Sequence, residues 1–348
     1  MPPPPKNAAD IPPKPLSDQK DLRIAVIGTG RISKFHFAAW AAADGDAIVA
    51  VCDVDAGRAA EMAKRYGVPR SYSSVGDLLD RQEVDAIDIV TPPDSHAEIL
   101  ELAAARGIPC LCQKPLARDY DEAQRIVASV TPRIRLMVNE NRRHLPYFTE
   151  ARAWIAEGLI GEVQQATMTA FRSAFLPGPD GRYKGTPALV HGRRLYVSEG
   201  LIHQVDALRS LLGPLTVVAA RMLNTEAALQ GDTLCTIFME TPRGAPAVIA
   251  GNAVAVGYPD VFNDRFEIMG SRGSIAYDSG LLRLLGPAPR EQRFDVKEGY
   301  DAMYQSCFTA AALAFRDALR TGAPFPTEAP DNLETLKIVE DVYRLSGA

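Results

Sequence analysis

The stretch Leu22-Arg-Ile-Ala-Val-Ile-Gly-Thr-Gly-Arg-Ile-Ser33 decides how the first half of this chain folds. An apolar run ends in glycines and passes directly into an Ala-rich helical pattern, which is how a dinucleotide site begins. Gly28 permits the tight strand-to-helix turn, and Gly30 lets the backbone approach a pyrophosphate. A helix starting near Arg31 offers that anion unpaired N–H groups and the positive end of its dipole. Cofactor contacts are therefore expected from Gly28, Thr29, Gly30, Arg31 and Ile32. Ser33 stands where a third glycine is usual, and its small side chain still allows close packing of helix on strand.

The next apolar run, Ala47-Ile-Val-Ala-Val-Cys-Asp53, reads as a second buried strand ending in a carboxylate. A carboxylate there accepts hydrogen bonds from the adenosine ribose hydroxyls and repels a 2′-phosphate, so NAD is expected over NADP. Arg31 and Arg58 leave NADP open. From Leu22 to about Asn141 strand and helix signals alternate, which argues for right-handed crossovers and a doubly wound parallel sheet with helices on both faces. A third strand, Asp85-Ala-Ile-Asp-Ile-Val90, runs into Thr91-Pro-Pro-Asp-Ser-His96, where the prolines stop the ladder at the carboxyl edge that takes ligands in this architecture. A fourth, Ile108-Pro-Cys-Leu-Cys112, leads to Gln113-Lys114-Pro115, so these loops are expected around one crevice.

With 348 residues, 47% of them hydrophobic and 23% charged, and a formal net charge of −5, the chain reads as a soluble globular protein long enough for two domains. The acidic balance and the lack of a basic tract give no electrostatic footprint for nucleic acid or an anionic membrane, and neither is expected as a partner. No stretch approaches the ~20 apolar residues of a membrane span. Cys52, Cys110, Cys112, Cys235 and Cys307 form an odd, scattered set that reads as reduced core thiols. Neither they nor the histidines show metal-ligand spacing, and no metal site is expected. The first 21 residues are rich in proline and lack the apolar core of a secretory signal. They read as an extended arm, either docked on a neighbouring subunit or a disordered tail. Together with reduced thiols, this points to a cytoplasmic protein.

In the second half, Tyr196-Val-Ser-Glu199-Gly-Leu-Ile-His203-Gln-Val-Asp206 opens a helical pattern that ends at Gly213. At these spacings Glu199, His203 and Asp206 share one helix face. An acid, an imidazole and an acid suit a relay in which the histidine takes a hydroxyl proton and a carboxylate orients it. The competing reading is an amphipathic helix with a satisfied core histidine. Lys114, after a buried strand and before a proline, suits the stabilisation of negative charge developing on an alcohol oxygen, as against a solvated loop lysine. Met137-Val-Asn-Glu-Asn141-Arg-Arg143-His-Leu-Pro146-Tyr147 reads as a strand, a polar turn at the domain hinge and a helix ending near Gly158, with His144 structural.

Residues 162–171 resume a strand pattern. Residues 172–194, with Arg172, Arg182, Lys184, His191, Arg193 and Arg194, read as a long basic loop. It is either a lid selecting a carboxylate or phosphate, or a surface or subunit contact. Strand-like segments at 217–223, 233–239, 247–256 and 265–269 fit one open antiparallel or mixed sheet, and helices near 303–320 and 331–345 close the chain.

The glycine turn, Asp53, the Thr-Pro-Pro-x-x-His segment at 91–96 and Lys114-Pro115 together resemble the Gfo/Idh/MocA family of oxidoreductases. The resemblance implies an N-terminal Rossmann domain over 22–141. It also implies a C-terminal α/β domain over 142–348, with a large open, mostly antiparallel sheet that binds substrate and joins a homodimer or homotetramer. The implied activity is hydride exchange between NAD and a secondary alcohol of a sugar or polyol. Lys114, His203 and Glu199 take the catalytic positions. Thr91, Pro92, His96 and Lys114 fall beside the nicotinamide, and Lys114, Asn141, Arg143, Glu199, His203 and Asp206 beside the substrate. The usual family pattern is Glu-Lys-Pro where this chain has Gln113-Lys114-Pro115, and Asp-x-x-x-His where it has Glu199 and His203. Asn141 and Arg143 match an Asn-x-Arg-x-x-Pro turn that binds hydroxyls, with interdomain structural contacts as the alternative. Two rival functions remain at this point: a lyase or glycosidase that retains NAD through a transient oxidation, and a non-catalytic NAD-dependent sensor.

Overall fold

The computed structural model describes residues 21–178, 180, 181, 183, 192–261, 263–296 and 299–347. The expected arm over residues 1–20, and Arg182, Lys184 and His191 of the basic loop, lie outside the described residues. The chain forms two compact units. The first runs through Asn141 and takes back Tyr304–Leu333; the second comprises Arg142–Met303 and the residues from Glu334 onward. The sequence reading had assigned 304–333 to the second domain. Those residues belong with the first unit, where Thr327 Oγ1 donates to the Val138 carbonyl at 2.5 Å and Arg135 Nη1 to the Ala318 carbonyl at 2.7 Å.

The first unit alternates β1 (Arg23–Ile27), α1 (Ser33–Ala41), β2 (Ala47–Cys52), α2 (Ala56–Tyr66), β3 (Ser71–Tyr72), α3 (Val75–Arg81), β4 (Ala86–Ile89), α4 (His96–Ala104), β5 (Cys110–Gln113), α5 (Tyr120–Val130) and β6 (Leu136–Asn139). The six strands are parallel in the order β3-β2-β1-β4-β5-β6. This is the Rossmann order, with its switch point between β1 and β4. The central strands are buried on both faces, so Ile24, Ala25 and Val26 read as a continuous apolar run without alternation. Asp55 caps α2 through the Gly57 and Arg58 amides, and Gly67 ends that helix at φ 68°.

The second unit contains α6 (Pro146–Ala156), β7 (Val163–Phe171), a π-turn over Val197–Leu201, α7 (Ile202–Leu212), β8 (Thr216–Leu223), β9 (Leu234–Glu240), β10 (Pro246–Asn252), β11 (Asp264–Gly270), β12 (Ser274–Asp278), β13 (Leu281–Leu285) and β14 (Arg290–Arg293). The chain closes with α8 (Tyr300–Thr321) and α9 (Ala329–Leu345). The eight strands take the order β14-β13-β12-β11-β7-β10-β9-β8, antiparallel except for the β7/β10 pair. Alternation buries Met168, Ile237, Ile249, Phe266 and Ile268 on one face. Tyr147 of α6 stacks on Tyr277 at 4.1 Å and Phe148 on Phe266 at 5.3 Å, which fixes α6 against that face. β14 escaped the sequence reading because it is exposed throughout and carries no apolar signal. A tight turn with Ser279 and Gly280 both at positive φ makes the hairpin leading into β13.

All five cysteines are free and buried, and burial pushes the Cys52 thiol up to about 11 and Cys235 to about 12. Among the described residues no helix is long and apolar enough to cross a membrane.

Candidate active site

The glycine turn sits at the end of β1. Gly28 adopts φ 103°, and a Cβ there would lie 2.7 Å from the Val90 carbonyl oxygen, so only glycine fits between the ends of β1 and β4. A Cβ at Gly30 would meet nothing within 4 Å. That open side of the turn lies at the start of α1, which has no acidic residue in its first turn and no side-chain cap. An uncapped helix start with free space over a glycine suits a pyrophosphate, so the turn fits a dinucleotide. Ser33 does more than avoid a clash, since its hydroxyl donates to the Gly30 carbonyl at 2.7 Å and stitches the turn.

Asp53 follows β2 and is 7% exposed. Its Oδ2 accepts from the Thr29 amide at 2.9 Å and the Thr29 hydroxyl at 2.6 Å, and its Oδ1 accepts from the Asp55 amide and from Arg58 Nη2. Burial raises the carboxyl pKa, but the Thr29, Asp55 and Arg58 contacts outweigh it and hold Asp53 below its ordinary value. The carboxylate thus braces the glycine turn and holds its charge.

Thr91 and Pro92 follow β4 at the same carboxyl edge, where Ser95 donates to the Thr91 hydroxyl at 2.8 Å. His96 corrects the sequence reading. It has no exposed surface, and its ring lies between the Thr91 carbonyl, 2.9 Å from Nε2, and the Leu116 carbonyl, 3.1 Å from Nδ1. It lines no ligand surface; it ties the loop after β4 to the turn that carries Lys114. Burial lowers its pKa against the raising effect of both carbonyls. Lys114 itself is half-buried directly after β5, and Leu116 and Ala117 beyond it are buried. Asn141 is 3% exposed, and its Nδ2 donates to the Cys307 Sγ at 3.0 Å, the internal contact that was its alternative reading.

In the second unit the expected single helix is two structures. Glu199, half-buried, stands in the π-turn, whereas His203 and Asp206 stand in α7. π-turns are uncommon and concentrate at functional sites. This one is held from a distance. Asp232 accepts from the Leu195 amide at 2.9 Å and the Val197 amide at 2.7 Å, and Tyr343 donates to the same carboxylate at 2.8 Å. A Cβ at Gly251 of β10 would strike Leu201 at 2.6 Å and Tyr196 at 2.8 Å, so that glycine admits the turn against the sheet. Gly200 leaves room for Arg172, whose Nη2 would lie 2.5 Å from a Cβ there.

Asp206 does not share an open face with His203. It has no exposed surface and takes a bidentate contact from Arg143, Nε to Oδ2 at 2.7 Å and Nη2 to Oδ1 at 2.5 Å, with Thr335 Oγ1 at 3.1 Å. Arg143 and Asp206 are therefore one buried ion pair, so the carboxylate expected at the substrate is engaged by a guanidinium of its own unit. Of the basic loop, Arg172 is drawn in beneath Gly200, and Arg194 pairs with Glu340 at 2.6 Å while covering the Tyr343 ring. Asp232 was missed, and Arg172 was read only as part of the basic loop, because their partners lie tens of residues away and leave no local spacing to read. Among the described residues no group of three His, Cys, Asp or Glu could hold a metal ion.

Comparison with known proteins places this geometry. A model of an oxidoreductase family with an NAD-binding Rossmann fold matches residues 22–139, and a GFO/IDH/MocA C-terminal domain model matches residues 148–276. A D-apiose dehydrogenase of Rhizobium rhizogenes is 28% identical over 334 residues, covering 93% of this chain and 94% of that protein. An inositol 2-dehydrogenase of Rhizobium meliloti is 27% identical over 338 residues, covering 93% and 96%. An oxidoreductase from Agrobacterium radiobacter, solved with NAD+, L-tartaric acid and magnesium, superposes with a TM-score of 0.86 at 26% identity, covering 94% and 97%. With both domain models matched in order, and with the parallel sheet, glycine turn and open second sheet that they require, the chain belongs to the GFO/IDH/MocA family and is an NAD-dependent oxidoreductase.

Proposed function

We propose that this protein is a dehydrogenase acting on a secondary alcohol of a sugar, polyol or related hydroxy compound. The observation that carries the reading is the placement of Lys114 at the carboxyl end of β5, in the same parallel sheet whose β1 and β2 ends carry Gly28 and Asp53. Gly28, Thr29, Gly30, Arg31 and Ile32 hold the pyrophosphate, Asp53 the ribose, and Thr91 and Pro92 the nicotinamide side. The bound cofactor supplies the hydride acceptor. Lys114 stabilises the negative charge that develops on the substrate oxygen. His203 accepts the hydroxyl proton, and Glu199 orients the imidazole or a neighbouring hydroxyl. The relatives named for apiose and inositol support a polyhydroxylated substrate.

The outer face of the second sheet presents Phe238, Val248, Ala250 and Met269, all at least partly exposed. A second copy of the chain is the partner we assign to that face.

The test is nicotinamide reduction by the purified protein with NAD and with NADP across sugars, polyols and sugar acids, with Lys114→Ala and His203→Ala alongside. Turnover with release of NADH, reduced about 10²–10³-fold in Lys114→Ala, is expected. Unchanged turnover in either variant overturns the assigned role. Tightly held NAD without released NADH would favour an internal redox cycle.

A further inference from the structure

Behind Lys114 the first unit buries a chain of polar side chains that the proposed chemistry does not use. His36, in α1, sets Nδ1 2.8 Å from Asp88 Oδ2 and Nε2 2.6 Å from Gln113 Nε2. Trp40 Nε1 donates to the same Asp88 oxygen at 2.7 Å, and Asn139 Nδ2 stands 3.4 Å from His36 Nε2. His36, Trp40, Asp88 and Asn139 are each no more than 2% exposed. The far end of the Gln113 carboxamide, Oε1, accepts the backbone N–H of Lys114 at 3.3 Å.

The donors and acceptors are consistent in one arrangement. Asp88 Oδ2 already accepts from Trp40 Nε1, and in this arrangement it accepts a ring proton carried on Nδ1 as well. The Gln113 amide nitrogen only donates, so Nε2 presents its lone pair. We propose that His36 and Gln113 are positioning residues for Lys114: the Nδ1–H form of His36, oriented by Asp88, holds the Gln113 carboxamide in one flip state, and that carboxamide fixes the turn presenting Lys114. The inference rests on the reading of Lys114 given above.

The device ties α1, whose first turn is assigned to the pyrophosphate, to the strand end that carries Lys114, and it places no negative charge beside the ammonium. The titratable groups facing Asp88 from β5 are the Cys110 and Cys112 thiols, which burial pushes far up and keeps neutral. From α8 the Phe308 ring meets His36 edge-on at 5.3 Å. A glutamate at position 113, the residue of the usual family pattern, would accept where Gln113 donates and would demand a second proton on His36.

The experiment uses the full chain with 15N-labelled histidine, the His36 signals being assigned by their loss in His36→Gln. At about pH 8, where an ordinary imidazole is neutral, wild type should show one protonated and one bare nitrogen on His36. Gln113→Glu should show both protonated at the same pH. Gln113→Glu should also lower kcat by about 10-fold or more with the NAD dissociation constant unchanged, because a misplaced group costs rate before it costs binding. Its kcat profile should move to higher pH, because the added carboxylate favours the neighbouring cation. His36→Gln, which can offer an acceptor where Nε2 stood, should keep more kcat than His36→Asn, which reaches only toward Asp88.

A doubly protonated His36 in wild type overturns the proposal. So does a Gln113→Glu variant matching wild type in nitrogen shifts, kcat and pH profile while Lys114→Ala is silent. A fully active Lys114→Ala overturns the role of Lys114 instead, and the nitrogen shifts then still decide whether the carboxamide is held as described.

Discussion

The two units hold the residues assigned to the site in opposite ways. In the first, Gly28, Asp53, Thr91 and Lys114 each follow a strand of one parallel sheet, so the ladder register sets their spacing. In the second, Glu199 and His203 sit where a π-turn passes into a helix, and that turn is held by Asp232, by Gly251 of β10 and by Arg172. Backbone hydrogen bonding builds the first arrangement, and side chains from remote segments build the second. The first should fail when a turn residue changes, and the second when a distant partner changes.

The largest effect is expected at Asp206→Ala in the second unit. It leaves the Arg143 guanidinium buried without its carboxylate, a loss of about 3–5 kcal/mol by urea denaturation. Joint replacement, Arg143→Met with Asp206→Leu, should recover most of it, since removing both charges removes the desolvation cost as well. A loss below about 1 kcal/mol for Asp206→Ala, the range of an exposed pair, would show that remote side chains do not hold this unit.

Next come the glycines of the first unit. Gly28→Ala meets about 1–3 kcal/mol of backbone strain, with the Val90 collision in addition. Gly30→Ala meets nothing and should leave stability within about 0.5 kcal/mol of wild type. Its NAD affinity should nevertheless fall, because the methyl takes the space assigned to the pyrophosphate. Equal NAD affinity in wild type and Gly30→Ala would break that assignment.

Asp232→Asn should cost about 1–3 kcal/mol, because the amide group cannot accept from both backbone donors as the carboxylate does. Its kcat should drop while NAD binding, read by fluorescence titration, stays put. A drop in both would blur the distinction between the units.

The effect spread over the widest range of conditions is an acid limb in stability. Burial, then Arg143 and Arg152, lower His144 to about 4 from an ordinary value of 6.5. The unfolded chain therefore binds the extra proton first, so stability falls as pH drops below about 6.5 and levels off near 4. His144→Phe should flatten that slope in a melting series. His96 of the first unit, also lowered by burial, should leave a residual slope of the same sign.

Legibility followed the same division. Gly28, Ser33, Asp53 and Lys114 were readable because strand, turn and helix are contiguous in the chain, and turn chemistry is a local property. His96 and Asp206 have the residue types of ligand groups, and only burial distinguishes a group that meets a ligand from one that meets the protein. His96 between two carbonyls and Asp206 on Arg143 show that a polar side chain can be fully used inside the fold.

By itself the sequence determined the Rossmann half, its cofactor turn, the lysine after β5 and the helix carrying His203, since periodicity and glycine placement act over a few residues. Only the tertiary structure decided that Glu199 stands in a π-turn, that Asp232 caps it, that residues 304–333 belong with the first unit, and that His36 reaches Gln113. Those outcomes depend on which groups are brought together and taken out of water across long stretches of chain, and local propensity does not contain that information.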